Sequence, residues 1–249
     1  MAKREIPEIN AGSMADIAFL LLLFFLVTTT MDKDQAYIRN IPKKIDVEID
    51  QTKVQERDIL AIRANNQNQL MVRGQVFSDP SKISDFVLKF YQTNERVNDV
   101  ENNFPMYSTT TIALCDQNMS NLDRQIEEAE AVGNQKLTDF FLASYDEWNK
   151  KKNAIKLYGK SEIRELSVQA HVRIEVQEST AYSIFTQIHN EIEEALFELR
   201  DNECMRLFNE SYGLLKRRFA QDNDPQDKSK IDLLEILYPA RIIEVTPKN

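Results

Sequence analysis

The sequence predicts an α+β fold: a single N-terminal transmembrane helix, then an extramembrane domain with helices packed on a small mixed sheet, plus a largely helical insertion. Three observations predict it. A chain of 249 residues, 42% of them hydrophobic, has a mean hydropathy of only −0.46 because its apolar residues concentrate in one run, Ile17 to Val27. Downstream, period-two alternations of half-buried strands flank apolar stripes of helical period. Their order, strand, strand, helix, strand, helix, strand, suits helices on one face of a mixed sheet.

Composition removes several classes of function. Lys plus Arg total 31 against 40 Asp plus Glu, a formal charge of −9. That is the wrong sign for a chain that grips phosphate backbones, so no nucleic-acid partner is expected. Cys115, Cys204, His171 and His189 are too few for a disulfide scaffold or a structural zinc site. No metal and no cofactor is expected, and the two cysteines fit either one disulfide or a reduced, buried pair.

Residues 1–12 read as a short tail and 13–31 as the membrane helix. Ile17 to Val27 alone is short for a bilayer, which needs roughly 20 helical residues. The nearly neutral Ala11-Gly12-Ser13-Met14-Ala15 before it and Thr28-Thr29-Thr30-Met31 after it complete the span, since threonine hydroxyls bond back to the helix. Glu5 and Glu8 dilute the basic end at Lys3 and Arg4, and no small-x-small cleavage site follows, so a signal peptide is disfavoured. A plain tether has no use for Asp16, because a membrane Asp costs about 2.5–3.5 kcal/mol near the helix centre and less towards an end. Gly12, Ser13 and Asp16 share one helix face, which Leu20, Leu23 and Val27 continue. Such a face suits contact with other protein or a water path, where a carboxyl alternates between neutral and ionised. Snorkelling to the headgroups is the plainer alternative.

Ile9-Asn10-Ala11-Gly12-Ser13-Met14-Ala15-Asp16-Ile17, ahead of an unbroken apolar helix, resembles the start of the ExbD/TolR family of bitopic subunits of proton-driven motors. Asn40-Ile41-Pro42 stands where that family has the extended Leu-Pro segment that introduces a periplasmic domain. The resemblance implies that Asp16 binds the proton and that the chain is no enzyme. It implies a second copy of the chain, a surrounding ring of ExbB-like subunits, membrane lipid, and a TonB-like protein as the outer partner. It also implies a single pass through the bacterial inner membrane with a cytoplasmic N-terminus. Charge counting does not favour that orientation, because Lys33, Arg39, Lys43 and Lys44 on the far side outnumber Lys3 and Arg4. Many members carry Thr-Pro where this chain has Gly12-Ser13. A TolR-like subunit for envelope constriction, or a membrane-tethered clamp without proton relay, is the alternative.

Residues 32–57 read as an extended linker. Ile45, Val47 and Ile49 alternate weakly there, a pattern able to pair with a sheet edge or contact a partner peptide. Residues 58–249 are expected to form the α+β domain. Ile59 to Arg63 and Leu70 to Phe77 read as two strands joined through Asn65-Asn66-Gln67-Asn68. Asp79-Pro80 starts a helix whose face is Ile83, Phe86, Val87, Phe90 and Tyr91. Val172, Ile174 and Val176 mark a strand, and Ser179 or Thr180 a helix cap. Ile184, Ile188, Ile192, Leu196 and Leu199 form the following helical stripe. Ile231 to Leu237 suggests a further helix and Ala240 to Val245 a last strand.

Residues 95–166 read as an insertion with a strand at Thr110 to Cys115 and helices near Asn121 to Val132 and Lys136 to Tyr158. Phe140, Phe141, Tyr145 and Trp148 are expected to be core, with a docking face as the alternative. Cys204 to Phe219 extends the preceding helix until a polar loop at Gln221 to Lys230 breaks it. Gly159-Lys160-Ser161 echoes a phosphate-binding loop, but a helical pattern rather than a strand precedes it. His171 and His189 have no partner at ligand spacing and read as structural.

Overall fold

A computed structural model describes residues 17–24, 54–96, 100–177 and 180–245. The chain divides into two compact units, Met1–Gln51 and Thr52–Asn249. In the first, residues 17–24 are helical (α1) and their side chains are exposed. Among the described residues no helix is long and apolar enough to cross a membrane. The flanks that extend the apolar run in sequence lie outside the described residues.

The second unit is built on a five-stranded sheet whose strands, in spatial order, are residues 75–77, 70–72, 59–64, 171–176 and 242–245. A 3-10 turn, Glu56–Asp58, leads into β1 (Ile59–Ala64), which buries Leu60, Ile62 and Ala64 and shows its other residues to the opposite face. This is the alternation read in the sequence. β2 (Leu70–Val72) and β3 (Gln75–Phe77) continue antiparallel, while β6 (His171–Val176) runs parallel to β1 and β7 (Ile242–Val245) parallel to β6. The sheet is therefore mixed, as the element order implied.

The expected single strand from Leu70 to Phe77 is two strands. Arg73 and Gly74 have φ of 49° and 76°, the left-handed pair that closes a two-residue hairpin and matches strand twist. The first connection is as expected: the Asn65 carboxamide oxygen accepts from the amides of Gln67 and Gln69 at 3.0 and 2.9 Å.

Helices cover one face of the sheet. α2 (Lys82–Gln92) buries Ile83, Val87, Phe90 and Tyr91, and the fifth expected residue, Phe86, stacks half-buried on Phe77 with ring centroids 5.6 Å apart. α5 (Tyr182–Phe208) buries Ile188, Ile192, Leu196 and Leu199 into the same core. Thr180 does not cap it, for its hydroxyl donates to the Asn65 carbonyl at 3.1 Å and Ala181 holds the cap position. Ser179 lies outside the described residues.

The long helix expected through Phe219 is broken at Asn209, whose φ is 55°. α6 (Tyr212–Asp222) follows, its start held by the Asp201 carboxylate, which accepts from the Ser211 hydroxyl at 2.9 Å and the Tyr212 amide at 2.7 Å. The expected loop at Gln221 to Lys230 is instead a tight corner. Asn223 turns left-handed at φ 52°, Asp224 caps the Gln226 amide at 2.9 Å, and α7 (Pro225–Leu237) begins with proline at its first position. Arg218 locks this corner through two bonds to buried Asp227, at 2.6 and 2.7 Å.

Between α2 and β6 the chain forms β4 (Tyr107–Thr111), α3 (Ile112–Ala131), α4 (Gln135–Tyr158) and β5 (Glu162–Leu166), with β4 and β5 paired antiparallel. The strand expected to reach Cys115 stops at Thr111, because the Thr111 hydroxyl accepts from the Leu114 amide at 3.2 Å and starts the helix. Phe140, Phe141, Tyr145 and Trp148 are half-buried, Trp148 packing against the core cluster of Cys115, Ile155 and Ile163. Gly159 ends α4 at φ 71°, so Gly159-Lys160-Ser161 follows a helix instead of leading into one.

Candidate partner-binding edge

Gly12, Ser13 and Asp16, and the linker residues Ile45, Val47 and Ile49, lie outside the described residues. Leu20 is described, on α1, with 60% of its surface exposed. Of the sequence-predicted site residues only Leu20 is among those described, and the geometry that follows is that of the second unit.

Among the described residues β3 pairs only with β2 and forms one border of the sheet. Val72 and Gln75 flank the two-residue turn, and such a closing pair is hydrogen-bonded. The next pair, Met71 and Val76, is then the non-bonded kind, which turns the Val76 N–H and C=O away from β2. The Val76 side chain is 64% exposed.

A cavity of about 340 Å³ runs between this strand and α2, lined by Gln75, Val76, Phe77, Lys82, Asp85, Phe86 and Lys89. The Phe77–Phe86 stack gives it an apolar wall, and Lys82, Asp85 and Lys89 are exposed on the α2 face beside it. The Lys89 ammonium also lies 5.5 Å from the Phe104 ring centroid. On the other side of the sheet a second cavity of about 360 Å³ includes Arg63, Met71, Val76 and Glu175 in its lining. There the Glu175 carboxylate bridges Arg63 and Arg173, each at 2.6 Å.

A separate polar cluster lies where the 3-10 turn at Glu56–Asp58 leads into the sheet. Asp58 is buried, 4% exposed, and burial pushes its carboxyl above the usual range against smaller opposing effects of Arg57, His171 and Ser167. His171 Nδ1 is 2.7 Å from the Gln169 carbonyl oxygen, and Arg241 donates to the Ser167 carbonyl at 2.6 Å. These groups gather at the starts of the parallel strands β1, β6 and β7. Cys115 and Cys204 are free, buried and in different core clusters, and burial pushes the Cys204 thiol to about 11.

Sequence reasoning missed Val76, Lys82 and Lys89. The available signal was Arg73-Gly74 inside an apparent strand, a turn dipeptide that splits it into two strands without saying which of them ends the sheet.

A family model described as Biopolymer transport protein ExbD/TolR matches residues 2–199. No curated protein matches. No solved structure matches. The match takes in the Asp16 segment, the β1–β3 meander, α2, β6 and most of α5, and it ends before α6, α7 and β7. The chain therefore belongs to the ExbD/TolR family.

Proposed function

We propose that the chain is a proton-motive-force-coupled subunit of the inner membrane that energises TonB-dependent outer-membrane transport, with Asp16 as the proton-binding carboxylate. The observation that carries this reading is the family match across residues 2–199, with its one membrane-zone acid at the mouth of the apolar run. Family members work with ExbB/TolQ-type and TonB/TolA-type partners. An ionised Asp16 prefers a polar or cationic neighbour and a neutral one tolerates an apolar wall, so each protonation biases the helix towards a different contact. One elementary charge crossing 100 mV supplies about 2.3 kcal/mol, so repeated steps deliver work.

The outer unit passes that bias on without enzymatic chemistry. Its exposed β3 border suits an extended TonB-type peptide, which gains main-chain hydrogen bonds by adding to a sheet. Asp16→Asn tests the reading, because it keeps side-chain shape and removes the titrating proton. At matched protein level, TonB-dependent uptake is expected to be lost while the ring partner still copurifies. Uptake near wild type contradicts the proton role.

A further inference from the structure

We propose that the β3 border selects an extended peptide in which acidic and apolar residues alternate. This rests on the reading above only in taking a sheet edge as the docking point, and it adds the chemistry of the partner. An added strand sends successive side chains to opposite faces, and here each face of the border opens on its own cavity, with Val76 lining both. On the helix side Lys82 and Lys89 stand about 10 Å apart along α2. Two same-face residues of a strand are about 7 Å apart, a difference that flexible lysine stems span. That cavity carries two lysines and one aspartate in a chain of net charge −9, so acids are the complementary side chains. On the other face Met71 and Val76 offer apolar contact beside the neutral polar Asn65, Gln69 and Gln177, and the charges that line it, Arg63 and Glu175, pair with each other.

At three residues the border strand is short, which is itself one way of blunting an edge, but its side chains do not repel a newcomer. Gln75-Val76-Phe77 carries no charge and no proline, the usual means of blunting an edge. Val76 supplies the outward N–H and C=O that a new strand needs.

The test uses the full chain in detergent and fluorescence anisotropy with a labelled peptide of Val-Glu repeats and its Val-Lys counterpart. The Val-Glu peptide is expected to bind at least about tenfold more tightly. Lys82→Glu with Lys89→Glu should invert that preference, and Val76→Pro should abolish binding of both peptides by removing one outward donor. If Val76→Pro unfolds, the charge inversion decides alone. Equal binding of both peptides, or binding unchanged in a folded Val76→Pro variant, overturns the proposal. So does charge reversal that disrupts self-association without changing peptide binding, since a second copy would then be the occupant. Asp16→Asn should leave this binding intact, which separates failure here from failure of the proton reading.

Discussion

Ile62 and Ile174 stand in register on parallel strands β1 and β6, and the next pair, Arg63 and Glu175, closes an ion pair of 2.6 Å across 112 residues of chain. The centre of the sheet is thus made by segments far apart in sequence. Both isoleucines are fully or almost fully buried beneath α2 and α5.

Ile62→Ala should lower unfolding stability by about 2–5 kcal/mol, the range for emptying a well-packed core site. Urea unfolding followed by circular dichroism of the second unit measures it. A loss below about 1 kcal/mol would show that the site collapses freely or is not core.

Gly74 occupies a left-handed position in the β2–β3 turn with open space where a Cβ would stand. Backbone strain alone should set the effect of substitution. Gly74→Ala is expected to destabilise by about 1 kcal/mol and Gly74→Asn by less, since asparagine tolerates this conformation. Equal losses for the two variants would contradict the turn assignment.

Asp58 gives a pH dependence with a definite sign. Its folded-state pKa is raised above 3.8, chiefly by burial, so the folded chain holds the proton more tightly than the unfolded one. That contribution is full below the unfolded value and is lost as pH rises through the folded value. The stability of Asp58→Asn relative to wild type should therefore increase on going from acid to neutral pH. Parallel urea titrations across that interval check it, and a decrease would reverse the sign.

Both thiols should resist labelling. Cys204 is fully buried and its thiol is pushed to about 11 by burial, so little reactive thiolate is present near pH 8. Ellman's reagent should react slowly with native protein and quickly with both cysteines in urea. Fast native labelling would show that one of the two clusters opens readily.

Much of the fold was legible because burial imposes period. Leu60 and Ile62, Val172 and Ile174, and the Ile188–Ile192–Leu196 stripe each follow a one-sided pattern that the structure buries. The breaks were harder to see. Asn209 and Asn223 end helices by turning left-handed, which a polar residue in a polar stretch does not announce. Asp224-Pro225 carries the same start signal as Asp79-Pro80, yet the surrounding charges made it read as loop. Those charges fold into a helix because Arg218 and Lys230 pair with Asp227 and Glu210, contacts that form only once α6 and α7 meet. The candidate edge stayed hidden for a related reason, since which strand ends a sheet is a property of long-range order. Asp16 stood out in sequence because an acid beside a continuous apolar run conflicts with its surroundings.

The central claim, that Asp16 carries the proton, is tested most directly by proton flux in liposomes holding the chain with its ring partner under an imposed potential. Wild type should conduct, Asp16→Glu should retain part of the flux, and Asp16→Asn should abolish it with the complex intact. Undiminished flux through the Asp16→Asn complex would contradict the account.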